Sequence, residues 1–269
     1  MAHARPIRSY LFVPANRPER ITKAQQAGAG AVIVDLEDAV APDDKASARA
    51  VLAGQLTMER QVLIRINGAD TPWFGDDLKL CAAPGVAGVL VPKAEQPEVL
   101  AEVARVIGVG KTIIPIIETA LGFDKSRALA ASGHVQRLAF GSIDFQIDLR
   151  IDGEEEELLY FRSQLVLVSR LMGLAPPVDG VTVAIDDAER LSTETHRGRR
   201  LGFGAKLCIH PKQVPIVNAC FTPTPEAVAW AQRVVDAAKC SNGSAVAVDG
   251  KMIDVPVIRK AQGILNDMG

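Results

Sequence analysis

Eight short apolar runs, rich in Val, Ile and Leu, recur along the 269-residue chain with helix-like segments between them. They occupy residues 10–13, 31–35, 62–66, 88–92, 112–117, 137–140, 180–184 and 205–209. Each is continuous rather than alternating, the pattern of parallel strands covered on both faces. The intervening segments, such as 18–27, 43–55, 97–107 and 187–201, carry apolar residues at helical spacing, and several open with Pro or Asp. Eight strands alternating with helices at this length fit an α/β fold of the (β/α)8 TIM-barrel type better than an open doubly wound sheet. Neither a G-x-G-x-x-G turn nor a phosphate-binding P-loop is present.

The tail has a different pattern. Pro223 and Pro225 introduce a helix to about residue 239, the stretch Ser241-Asn242-Gly243-Ser244 reads as a turn, and Asp249-Gly250 between apolar residues is a hairpin signal. The expected division is a barrel domain of residues 1–221 and a C-terminal helical and hairpin appendage of residues 222–269.

A composition of 48% hydrophobic and 23% charged residues is that of an ordinary globular protein, and a net charge of -2 gives no electrostatic reason to expect nucleic acid or a membrane surface. No apolar stretch reaches the ~20 residues of a membrane helix. Residues 1–6 lack the apolar core of a secretory signal. Cys81, Cys208, Cys220 and Cys240 are far apart and form no C-x-x-C pair, which points away from a disulfide framework or a zinc site. A cytoplasmic protein with free thiols is expected.

In a (β/α)8 barrel the chemistry sits at the C-terminal ends of the strands. Read in order, those ends offer Asn16 and Arg17, then Asp35, Glu37 and Asp38, then Arg65 with Asn67, Lys93, Glu118, Ser142 with Asp144, and His210. Seven of the eight strands deliver a polar or ionisable group to one rim, which a barrel built for packing alone has no use for. Glu118 alone could be an acid favoured by a helix N-terminus, and Asp144 could cap the next helix. Together, on neighbouring strands, two carboxylates converge and repel unless a cation lies between them. Two carboxylates with waters and a substrate oxygen suit Mg²⁺.

Arg65 lies in "VLIRIN", where an unpaired charge is costly. It pairs with Glu37 or Asp38, presents a planar fork to a substrate carboxylate or enolate oxygen, or does both. Lys93 is open between a surface residue and a substrate contact. His210 reads as a hydrogen-bonded structural histidine; His3, His134 and His196 read as surface residues, and Glu154–Glu157 as a solvated helix start.

The stretches "RSYLFVPANRPER", "VIVDLEDAV", "RINGADTPW", "VPKAE", "IIETALG", "FGSIDF", "IHPKQ" and "GKMIDVPVIRKAQ", in this order, resemble the citrate lyase β-subunit family of the HpcH/HpaI aldolase group. That group includes malyl-CoA and citramalyl-CoA lyases. The resemblance runs from Arg8 to about Leu265. It implies a Mg²⁺-dependent barrel cleaving a short 3-hydroxy-acyl-CoA of the citramalyl or malyl type to acetyl-CoA and a 2-keto acid. Alternatives are a citrate lyase β subunit acting on a citryl-carrier thioester, a malyl-CoA thioesterase or malate synthase-like activity, or a non-catalytic barrel that binds CoA thioesters. By the same resemblance Glu118 and Asp144 hold the metal, Arg65 binds substrate, and Glu37 and Asp38 stand behind Arg65. Arg17 and Arg20 face the CoA arm and its phosphates; Lys93 is counted, apart from the resemblance, as a candidate substrate contact. Asp254 reaches the active site of a neighbouring subunit in a homotrimer or hexamer and is the candidate proton-transfer group. Without the resemblance, Asp254 reads equally as the cap of a final helix. Two departures stand out: Ser142-Ile143-Asp144 where many members read Thr-Glu-Asp, and Ala15 where glycine is usual.

Overall fold

A computed structural model describes residues 6–240 and 246–268. The described residues fall into two compact units, Ile7–Asn218 and a second from Ala219 onward. In the first, β1 (Ser9–Pro14), β2 (Ala31–Asp35), β3 (Val62–Arg65), β4 (Val86–Val91), β5 (Thr112–Ile117), β6 (Ala139–Phe140), β7 (Val178–Asp179) and β8 (Ala205–Cys208) close into a barrel in sequence order. Every neighbouring pair is parallel, and β8 returns to β1. The helices are α1 (Glu19–Gln26), α2 (Lys45–Ala53), α3 (Phe74–Cys81), α4 (Pro97–Ile107), the short α5 (Ala120–Asp124) and α6 (Ser126–Ala130), α7 (Ser142–Leu149), α8 (Leu159–Leu171), α9 (Ala188–Leu201) and α10 (Gln213–Phe221). The expected (β/α)8 barrel is therefore the observed fold.

The continuous apolar runs follow from burial on both faces. Tyr10, Ile33, Leu63, Leu90, Ile114, Ile116, Val178 and Leu207 point inward and fill the barrel. Their neighbours Leu11, Val32, Val34, Ile64, Val89 and Ile113 point the other way by the pleat and are buried too. Full burial of such a side chain contributes about 1.5–3 kcal/mol relative to exposure, so polar alternation would cost the barrel its outer layer. Helix α4 shows the local logic: Pro97 occupies the first turn, Leu100, Val103 and Ile107 form the buried stripe, and Gly108 at φ 81° ends the helix.

Three strands differ most from the expected runs: the fourth begins at Val86 rather than 88, and the seventh and sixth shift as well. The seventh lies at Val178–Asp179, before the run 180–184. That run extends without a ladder because its carbonyls take side-chain donors: Lys206 Nζ donates to Gly180 O and Gln213 Nε2 to Thr182 O, at 2.7 and 2.8 Å. The sixth begins at Ala139 rather than 137; just before it the Arg137 guanidinium donates to Pro176 O, Ile7 O and Tyr10 Oη. Glu154–Glu157 precede α8 rather than start it, and Glu154 and Glu155 pair with Arg190 and Arg197. His134 and His196 are exposed, as expected; His3 and the turn stretch Ser241-Asn242-Gly243-Ser244 lie outside the described residues.

In the second unit, α11 (Pro225–Cys240) and α12 (Val255–Asn266) pack around Ala231, Val234, Ile253 and Ala261. The antiparallel hairpin β9 (Val246–Val248) and β10 (Lys251–Ile253) turns at Asp249 and Gly250, whose φ of 52° and 75° fit the mirror-image turn expected of Asp-Gly. No helix among the described residues is long and apolar enough to cross a membrane.

Candidate active site

Strand register builds the centre of the rim. Asp35 and Arg65 are partners across β2 and β3, so both follow inward-facing residues two positions earlier, Ile33 and Leu63. Arg65 Nε and Nη2 donate to Asp35 Oδ1 and Oδ2 at 2.8 and 2.6 Å, a two-pronged pair. Nη1 lies 2.9 Å from Glu37 Oε2 and 3.2 Å from Asp38 Oδ2, and the guanidinium carbon is 4.8 Å from the Phe12 ring centre. The expected pairing with Glu37 and Asp38 exists, but the main partner is Asp35. The sequence places Asp35 on the rim, but its pairing with Arg65 follows from the β2–β3 register.

The turn after β2 is held from several sides. The same Asp35 oxygens accept the N–H groups of Glu37 and Ala39. Buried Lys45 donates to Leu36 O and Glu37 O at 2.9 Å, and Asn67 Nδ2 donates to Leu36 O at 3.0 Å. Lys45 carries no sequence mark, since a lysine in a helix reads as solvated. Burial pushes the Glu37 carboxyl up to about 7, with Asp38 and Asp35 adding to the rise and Arg65 opposing it. Its Oε2 is buried and, although close to Arg65, accepts no hydrogen bond among the described residues.

Glu118, 4% exposed, leaves β5 on the inward side. Its Oε1 accepts the Lys93 N–H at 2.6 Å, which Lys93 offers from a left-handed backbone with φ 43°. Gly141 makes room: a Cβ there would collide with Glu118 Oε2 and Cβ. Desolvation raises the Glu118 carboxyl to about 8, assisted by Glu37 and Asp144 and opposed by the Lys93 N–H and Arg65. Asp144 stands in the first turn of α7, one strand further round, since β5 pairs with β6 at Ile117 and Phe140.

Asp35, Asp38, Arg65, Glu118 and Asp144 line one cavity of about 370 Å³, so four carboxylates face one guanidinium. No group of three or more His, Cys, Asp or Glu in a metal-holding arrangement occurs among the described residues. Glu118 and Asp144 are the pair that could hold a cation, and the donor set is hard oxygen of the kind Mg²⁺ takes, with waters completing its shell. The excess of carboxylates, and the opposition of Asp144 and Glu37 to ionisation of Glu118, fit a site completed by positive charge.

The remaining sites lie elsewhere. Phe12, Pro14 and Ile209 line both this cavity and a second of about 360 Å³, which carries Arg20, Lys23 and His210. Arg17 is exposed and lines neither. His210 Nδ1 accepts the Lys212 N–H. Lys93 lines a third cavity with Gly68, Asp70 and Glu95; its N–H meets Glu118, and its charge lies close enough to Glu37 to oppose the rise of that carboxyl. In the C-terminal unit Asp254 caps α12, accepting the Val257 N–H at 3.1 Å.

Residues 8–211 match the model of the family described as HpcH/HpaI aldolase/citrate lyase. A citrate lyase subunit beta-like protein of Deinococcus radiodurans is 36% identical, over 97% of this chain and 96% of its own length. A (3S)-malyl-CoA thioesterase of Cereibacter sphaeroides is 35% identical, over 94% of this chain and 92% of its own. The crystal structure of CitE from Mycobacterium tuberculosis, in complex with magnesium, acetoacetate and coenzyme A, superposes with a TM-score of 0.85 at 32% identity, covering all of both chains. With a parallel eight-stranded barrel, an acid-and-arginine rim and this extent of similarity, the chain belongs to the HpcH/HpaI aldolase/citrate lyase family.

Proposed function

We propose that the protein is a Mg²⁺-dependent carbon–carbon lyase, a cytoplasmic enzyme that cleaves a short 3-hydroxy-acyl-CoA of the citramalyl or malyl type to acetyl-CoA and a 2-keto acid. The observation that carries this reading is the convergence of Glu118, Asp144 and Arg65 on one rim cavity with more carboxylates than cations. The family membership and the magnesium, acetoacetate and coenzyme A bound by the M. tuberculosis relative support it.

Cleavage removes a proton from the hydroxyl, breaks C2–C3 and leaves a thioester enolate that takes a proton at carbon. Glu118 and Asp144 would hold the metal. When bound, Mg²⁺ supplies polarisation of the hydroxyl and carboxylate oxygens and neutralises their charge. Arg65 gives one N–H each from Nε and Nη2 to Asp35 and offers a remaining N–H to the developing oxyanion, a type of contact worth about 3–4 kcal/mol per donor in other enzymes. Asp35, Glu37 and Asp38 hold that fork in place. The thioester arm leaves along Phe12, Pro14 and Ile209 toward Arg20 and Lys23, which with Arg17 meet the CoA phosphates. Asp254 of a neighbouring subunit, in a homotrimer or hexamer, moves the proton at the enolate carbon.

A thioester hydrolase is the second reading, favoured by the C. sphaeroides relative named a malyl-CoA thioesterase. One assay separates them: a panel of 3-hydroxy-acyl-CoA thioesters with Mg²⁺, read for keto acid, acetyl-CoA and free CoA. Keto acid with acetyl-CoA is expected; free CoA with no keto acid overturns the lyase reading in favour of hydrolysis. The shared site is tested by mixing Asp254→Asn with Arg65→Ala protein under subunit exchange. Activity should return, because some interfaces then pair an intact barrel with an intact tail.

A further inference from the structure

The rim cavity is divided by chemistry around the barrel. Its carboxylates and Arg65 come from the ends of β2, β3 and β5 and from α7, whereas β1, β8 and the segment after β7 contribute Phe12, Pro14, Leu207, Ile209 and Val181. Phe12, Pro14 and Ile209 also belong to the second cavity, so the two cavities adjoin along them. Val181 and Leu207, together with Ile143, line the reaction cavity alone. Arg65 is the one basic side chain lining that cavity among the described residues, and its three nitrogens already face Asp35, Glu37 and Asp38.

During cleavage the carbon that bore the hydroxyl becomes the keto carbon and keeps its substituent, with no further reactant consumed. That substituent has to be housed beside the acid cluster but away from the arm's passage. We propose that Ile143, Val181 and Leu207 form its pocket and select thioesters whose keto acid bears an uncharged alkyl group, the pyruvate class, against the dicarboxylic oxaloacetate class. The proposal rests on the lyase reading above. A second carboxylate in this pocket meets aliphatic side chains, finds no basic side chain beyond the carboxylate-paired Arg65, and shares the cavity with four carboxylates of its own sign. An alkyl group meets the apolar surface it needs.

The test compares (S)-citramalyl-CoA with citryl-CoA in the presence of Mg²⁺, and in parallel titrates pyruvate and oxaloacetate calorimetrically into the Mg²⁺-loaded full chain. Citramalyl-CoA should have a kcat/KM at least about 100-fold higher, and pyruvate should bind at least about tenfold tighter than oxaloacetate. Near-equal values, or a preference for the dicarboxylic partner, overturn the pocket while leaving the lyase reading intact. If no thioester releases a keto acid, the lyase reading fails, and the two titrations still decide the pocket. Val181→Lys should narrow the pyruvate preference by roughly tenfold, because it supplies the missing counter-charge. If that variant does not fold, the near-isosteric Val181→Thr should weaken pyruvate binding several-fold. A folded variant with unchanged binding removes Val181 from the pocket.

Discussion

The charged and apolar arcs of the rim sit on the same barrel and are held by opposite means. On β1 and β8 the side chains continue the barrel interior: Phe12 and Leu207 pack with the Tyr10, Ile33 and Ala205 cluster, and dispersion and dehydration stabilise them where they stand. On β2, β3 and β5 the side chains are polar and crowded, and each is held by a named partner: Arg65 by Asp35, Glu118 by the Lys93 N–H, and the Leu36–Glu37 turn by Lys45 and Asn67. Removing one partner there leaves a buried charge uncompensated, which costs far more than trimming a methyl from the other arc. The charged arc also carries the groups proposed for the chemistry, so single substitutions there should cost function most.

The largest effect is expected at the candidate metal pair. Glu118→Ala or Asp144→Ala should abolish calorimetrically detectable Mg²⁺ binding, since one remaining carboxylate is too little for a weakly held Mg²⁺. Unchanged affinity in the Glu118→Ala protein would sink the assignment. Next comes Arg65→Lys, which keeps the charge but loses the fork. Turnover should fall about 100-fold or more with the circular dichroism spectrum intact, and a near-normal kcat would show that the fork is not used.

A smaller contrast tests whether Lys93 acts through its backbone. Lys93→Gly keeps the left-handed conformation and the N–H to Glu118, so Mg²⁺ affinity should stay within about twofold. Lys93→Val disfavours that conformation and should weaken Mg²⁺ binding by roughly tenfold, as a strain of 1–3 kcal/mol implies. If the glycine variant loses substrate affinity instead, the ammonium is the working group.

The smallest effect is thermodynamic. The folded-state carboxyls of Glu37 and Glu118 are raised to about 7 and about 8, above the ordinary 4.5. Between 4.5 and those values the folded protein binds more protons than the unfolded chain, so metal-free stability falls as pH rises through this window. Denaturant unfolding of metal-free protein should show a slope on the order of 1 kcal/mol per pH unit between pH 5 and 7. Glu118→Gln should flatten it; an unaltered slope would place the protons elsewhere.

Much of this was legible in the residues themselves. Continuous apolar runs spaced by amphipathic segments determine a barrel covered on both faces, because such runs suit strands buried on both sides. Chain order then determines which strand ends meet, so Glu118, Asp144 and Arg65 could be assigned to one rim. The hairpin at Asp249-Gly250 was equally plain, since that pair favours left-handed backbone. What only the tertiary structure decided depends on register and on side-chain reach. It made Asp35 rather than Glu37 the main partner of Arg65, and brought the Lys93 N–H to Glu118. It buried Lys45 against two carbonyls and moved the seventh strand ahead of its apolar run. Local pattern carries burial, which is set by each residue's own solvation. Pairing between side chains 30 positions apart, as in Arg65 and Asp35, or 127, as in Arg137 and Tyr10, is set by how the strands align, and that alignment exists only once the barrel has closed.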